Sequence, residues 1–157
     1  MTLAIIAGNG DLPKLIIKEC EKQKRDFIVI LVAGNSNHDD YKKYKNYIVE
    51  IGCISRVLTI LRENKIKELV FAGGIKKPSF SKVKVDKKGA VLLSKIVANK
   101  LFGDDNILTT ITNFFKKEGF KIIGADEIIT DIIPLEEINK VFEDVIYRRR
   151  GKILIKI

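Results

Sequence analysis

Leu3 to Ala7 is a wholly apolar run stopped by Gly8, and after it Leu12, Leu15, Ile16 and Cys20 recur at helical spacing. A short continuous apolar run predicts a strand buried on both faces, and the 3.6-residue recurrence predicts a helix with one apolar face. Phe27 to Val32 repeats the strand signal and ends at Gly34-Asn35, which completes a βαβ unit. Asn35 to Asn46 is polar and reads as a loop or short helix; Tyr47 to Ile51 is the next strand, closing at Gly52. Ile54, Val57, Leu58 and Leu61 then mark a helix ending near Asn64, and Glu68 to Ala72 a strand terminated by Gly73-Gly74. The alternation lapses from Lys76 to Lys88, a stretch with six lysines and one acid that reads as a surface loop. Leu92, Leu93, Ile96, Val97 and Leu101 define a helix from Gly89 to Phe102, interrupted by Gly103-Asp104-Asp105. Ile107, Leu108, Ile111, Phe114 and Phe115 define another, ending at Gly119, and Phe120 to Ile123 is a final strand closed by Gly124.

Strands alternating with helices call for parallel pairing with crossover helices. The expected fold class is α/β: a Rossmann-like open parallel sheet with helices on both faces, plus an appended helix-strand tail. Residues 1–131 form the expected domain and 132–157 the extension, in which Pro134 opens a helix-like stretch to Tyr147 and Lys152 to Ile157 alternates like a strand. A chain of 157 residues suits one well-buried domain, and 46% hydrophobic with 31% charged residues describes a folded globular protein. The longest apolar runs are too short to span a bilayer and Met1-Thr2-Leu3 lacks a basic leader, which predicts a cytoplasmic protein.

Composition narrows the chemistry. His38 is the sole histidine, so a histidine-rich metal site is excluded; Cys20 and Cys53 lack metal-site spacing and read as reduced structural residues. His38-Asp39-Asp40 resembles a metal motif only superficially. No Ser/His/Asp set, Walker motif or HExxH is present. A net charge of +9 favours anionic partners without choosing among them.

Two glycine turns stand out. Gly8-Asn9-Gly10-Asp11 joins a strand to a helix, where backbone amides and a helix dipole stabilise an anion. It is not the dinucleotide fingerprint, because Pro13 occupies the third glycine position. Asp11 reads either as an N-cap or as a contact to a ligand hydroxyl or Mg²⁺. Gly73-Gly74-Ile75-Lys76-Lys77-Pro78 follows another strand, so Lys76 and Lys77 would bring charge to the same crevice, or else belong to a solvated loop. Asp104 and Asp105, at a helix start, read as a cap or as a Mg²⁺ contact through water.

Taken together in order, Ile5-Ile6-Ala7-Gly8-Asn9-Gly10-Asp11-Leu12-Pro13, Phe71-Ala72-Gly73-Gly74-Ile75-Lys76-Lys77-Pro78-Ser79, Gly103-Asp104-Asp105-Asn106-Ile107-Leu108 and Gly119-Phe120-Lys121-Ile122-Ile123-Gly124-Ala125 resemble the N-terminal domain of the LpxI-type UDP-2,3-diacylglucosamine pyrophosphatases. The resemblance covers about residues 1–131. It implies a lobe of a lipid A pathway enzyme that uses Mg²⁺ and water to split a UDP-sugar into UMP and a diacylated sugar 1-phosphate. It further implies UDP-diacylglucosamine or a related UDP-sugar as ligand, with Gly8, Gly10, Asp11, Gly73, Gly74, Lys76 and Lys77 on the crevice wall and Asp104 and Asp105 toward the metal. The family's C-terminal domain, with its catalytic acid, has no counterpart in these residues, so catalysis is expected to be weak or absent unless a partner such as a separately encoded C-terminal domain completes the site; a homo-oligomer, joined through the tail strand Lys152 to Ile157, is the other assembly considered. Peripheral contact with the inner membrane also follows from the acylated substrate. The tail Ile133 to Phe142 with Gly151 to Ile157 resembles the C-terminal segment of zinc-type alcohol dehydrogenases, without their zinc ligands. Two other readings stand beside this one: a basic α/β module for nucleic acid, carried by the charge and the Lys76 to Lys88 run, and a degenerate scaffold. The resemblance itself predicts no specific nucleic acid.

Overall fold

The computed structural model describes residues 2–76, 83–101 and 107–129. Strands β1 (Leu3–Ala7), β2 (Phe27–Val32), β3 (Asn46–Val49), β4 (Glu68–Ala72) and β5 (Lys121–Ile122) form one sheet in the order β3-β2-β1-β4-β5. Every pairing is parallel, with Ile5 opposite Val29 on one side and Val70 on the other. The order reverses at β1: the chain steps outward through β2 and β3, then returns to lay β4 along the free side of β1. Such a switch point opens a crevice at the carboxyl ends of the two diverging strands.

Alternate strand residues feed two cores. Leu3, Ile5, Ala7, Val29, Leu31 and Val70 face helix α1 (Leu12–Lys22), which contributes Ile16, Ile17 and Cys20. Ala4, Ile6, Ile28, Ile30 and Leu69 face the other way, toward α2 (Ile54–Glu63), α3 (Lys87–Leu101) and α4 (Ile107–Lys117). Both sheet faces are therefore covered by helices. Each fully buried Leu or Ile contributes on the order of 2 kcal/mol, and β1, with all five residues buried, is the densest source of it.

Element boundaries depart from the apolar pattern where tertiary contacts intervene. β3 ends at Val49, short of Ile51, because the chain already turns at Ile51-Gly52 and the Cys53 amide bonds the Glu50 carbonyl at 3.0 Å. Asn35 to Asn46 contains a short 3-10 helix, His38–Tyr41. α3 starts at Lys87, inside the expected lysine loop, because Asp86 caps it. Leu108 and Val97, expected on apolar helix faces, are exposed. The extension 132–157 lies outside the described residues.

Candidate functional site

β1 and β4 end side by side, and the chemistry of Gly8-Asn9-Gly10 and Gly73-Gly74 follows from that neighbourhood. The Gly8 amide donates to the Ala72 carbonyl at 2.8 Å, extending the ladder. Asn9 and Gly74 then exchange both backbone hydrogen bonds, at 2.7 and 2.8 Å, as an isolated antiparallel bridge. Side chains are excluded at this crossing. A Cβ on Gly8 would stand 2.3 Å from the Gly74 oxygen, and one on Gly73 would stand 2.3 Å from the Asn9 oxygen. Gly73 also holds φ at +77°, a conformation open chiefly to glycine.

This redistributes the roles that local sequence suggests. Gly8 and Gly74 are buried and their amides are consumed by the opposite turn, so they build the floor of the crevice. Gly10 (φ +98°), Asp11, Gly73 and Lys76 are exposed at its mouth. Lys77, Asp104 and Asp105 lie outside the described residues.

Asp11 occupies the N-cap position of α1 with φ −89° and ψ −15°, but its side chain makes no capping hydrogen bond. The helical backbone angles at Asp11 differ from the extended ones that aim a cap side chain at the second or third amide. Pro13 has no N–H, and the Leu15 amide bonds the Asp11 carbonyl at 3.1 Å. The Leu12 and Lys14 amides are therefore the first-turn donors without a helical acceptor, and they sit at the positive end of the helix.

The exit of β2 supplies two residues that local pattern does not single out. Asn35, buried, accepts the Lys76 amide on Oδ1 at 2.7 Å and donates from Nδ2 to the Ala33 carbonyl at 3.2 Å. The Ser36 hydroxyl reaches the carbonyls of Ala7 at 2.8 Å and Gly8 at 3.2 Å. The contacts to Lys76 and to the β1 turn span about thirty residues or more of sequence, so the only local signal was that Asn and Ser follow a strand at a glycine.

Beside the crevice, a cavity of about 270 Å³ is lined by Lys14, Ile17, Asp40, Tyr41, Lys43 and Tyr44. Lys14 and Asp40 pair across it at 2.8 Å, and that hydrogen bond holds the Lys14 ammonium above its ordinary pKa. Burial pushes the Tyr41 phenol up. The pairing fixes the first turn of α1 against the 3-10 helix and leaves Lys76, among the described residues, as the exposed cation of the β4 turn.

For a divalent ion the described residues offer little. Among them no three His, Cys, Asp or Glu side chains stand together, and at the crevice mouth Asp11 is the carboxylate present. The described side chains do not by themselves make a Mg²⁺ site.

The model of the LpxI N-terminal domain matches residues 2–132. UDP-2,3-diacylglucosamine pyrophosphatase LpxI of Caulobacter vibrioides is 31% identical over 140 residues, covering 88% of this chain and 50% of that protein. The chain thus spans about half the length of the curated relative it matches. Among solved structures, UDP-glucose 4-epimerase of Thermus thermophilus in complex with NAD overlays 79% of this chain and 54% of its own, with a TM-score of 0.48 and 12% identity. The family match covers both glycine turns, the switch point between them and every described element, and the chain belongs to the LpxI N-terminal domain family.

Proposed function

We propose that this chain is the UDP-sugar-binding lobe of a UDP-2,3-diacylglucosamine pyrophosphatase of the lipid A pathway. The observation that carries the reading is the interlocked pair of glycine turns at the switch point, in a chain of this family, with an uncapped helix N-terminus on one side and Lys76 on the other. The diphosphate of the ligand lies over Gly10 and Gly73, where no Cβ blocks its approach. The first-turn amides of α1 and the Lys76 ammonium take its charge. Asp11 meets a ligand hydroxyl or a Mg²⁺ ion; Lys77, Asp104 and Asp105, which the family resemblance also implies for this ligand and its metal, lie outside the described residues.

The reaction on this reading is hydrolysis of the phosphoanhydride: water adds to one of its two phosphorus atoms, the bridging oxygen leaves with the other, and the products are UMP and diacylglucosamine 1-phosphate. On this reading the lobe holds the substrate, and residues beyond the matched half of the curated relative supply the hydrolytic step. The acylated substrate brings the protein to the inner face of the membrane as a peripheral visitor. Among the described residues no helix is long and apolar enough to cross it.

Calorimetric titration with UMP and with a UDP-sugar, each with and without Mg²⁺, tests the binding claim. Saturable heat is expected for both ligands. No heat at millimolar ligand would overturn the reading.

A further inference from the structure

We infer that Asn35 and Ser36 are a positioning pair, setting from β2 where Lys76 and the β1 glycine turn stand relative to each other and hence how a phosphate is held between them. The inference rests on the UDP-sugar reading and adds a third strand exit to a crevice otherwise built from two.

The backbone geometry motivates it. β4 ends at Ala72, and Gly74 is the last residue of its exit turn tied to the β1 turn. Beyond it the chain is exposed at Ile75 and Lys76, and its described anchor there is the 2.7 Å bond from the Lys76 amide to Asn35 Oδ1. Asn35 can serve as an anchor because it is itself fixed: it is 8% exposed, and its Nδ2 is held by the Ala33 carbonyl. Ser36, the next residue, bonds the carbonyls of Ala7 and Gly8, directly beneath the other wall. One dipeptide therefore touches both walls at once.

The choice of groups matters as well. Lysine binds phosphate as a point charge on a flexible stem, so its contribution depends on how much freedom is lost when it binds. Fixing the Lys76 backbone beforehand reduces that loss. Asparagine supplies the acceptor without a charge, whereas a carboxylate at the same place would repel the phosphate.

The pair is tested by a double-mutant cycle on UMP and UDP-glucose affinity, read by calorimetry, with thermal melting of every variant alongside. Asn35→Ala and Lys76→Ala are each expected to weaken binding about tenfold, and the double variant little more than either, because without Asn35 the lysine no longer contributes. Ser36→Ala is expected to couple to Lys76→Ala in the same direction, and it decides the matter if Asn35→Ala melts too low to assay. Wild-type affinity in Asn35→Ala and Ser36→Ala, or losses that simply add to that of Lys76→Ala, would overturn the positioning role while the UDP-sugar reading stands. Absence of binding by the wild-type chain would overturn both.

Discussion

The methyl group of an alanine at position 8 would lie 2.3 Å from the Gly74 carbonyl oxygen, and the neighbour is backbone that cannot rotate away. Gly8→Ala must therefore part the two turns, at a cost of about 2 kcal/mol or more. Gly73→Ala meets the Asn9 oxygen at the same distance and adds the strain of φ +77°, roughly a further 1 kcal/mol. Gly34 is the control: φ is +74°, but nothing stands within 4 Å, so Gly34→Ala carries the conformational strain alone, about 1 kcal/mol. Urea unfolding of the three variants should rank Gly73→Ala lowest, then Gly8→Ala, then Gly34→Ala. A Gly34→Ala variant as unstable as Gly73→Ala would refute the close-approach account. The glycines themselves are plain in the sequence, but their partners are not. Gly8 meets Gly74 across sixty-odd residues, and no local pattern specifies which strand exits face each other.

Capping divides two aspartates that look alike in the sequence. Asp11 precedes an apolar helical face and stands at a cap position, yet its carboxylate makes no cap bond. Asp86 sits among lysines and serves two helices at once: Oδ1 accepts the Gly89 amide at 2.8 Å, and Oδ2 accepts the Ser55 amide at 2.7 Å and that of Arg56 at 3.3 Å. Asp86→Ala should cost about 2 kcal/mol, since a single lost cap costs about 1, whereas Asp11→Ala should change stability by less than about 0.5 kcal/mol and act on ligand affinity instead. Chemical denaturation measures both, and equal losses would contradict this division. Helix existence and most core positions were legible because Ile16, Leu58, Leu61 and Phe115 keep the 3.6 period and are buried as it requires. The start of α3 was not, because its cap also answers to a second helix thirty residues earlier.

The same carboxylates set the response to acid. Burial pushes the Asp86 carboxyl up, but the amides of Gly89, Ser55 and Arg56 outweigh it, and it ends below its ordinary value. Lys88 and then Arg62 hold Glu118 low, and Lys121 with Arg25 holds Glu68 low. Folded-state values below the unfolded ones bind fewer protons, so this stabilisation is complete above the ordinary carboxylate range and is lost as pH falls through the folded values. Melting temperature should be flat from about pH 7 to 5 and fall below about pH 4, less steeply in Asp86→Asn. A melting temperature that rose on acidification would contradict these shifts.

At the scale of the whole molecule, the surplus of +9 and the crevice make different claims on an anionic partner. Part of the positive charge on the described surface already faces an acid: Lys14 with Asp40, Lys42 with Asp39, Lys88 and Arg62 with Glu118, Arg25 and Lys121 with Glu68. These pairs lie on several elements, so salt dependence, more than the count of charges, separates the two claims. A nucleic-acid surface engaging six or more phosphates would lose about a thousandfold in affinity between 50 and 200 mM salt. A crevice that meets one phosphorylated ligand with Lys76 and helix amides relies on short-range, oriented donors, which salt screens far less. UMP affinity, measured by calorimetry across that range, should therefore weaken by no more than about threefold. RNA retention that is strong at low salt and collapses by 200 mM, together with silent UMP titrations, would move the function from the crevice to the basic surface.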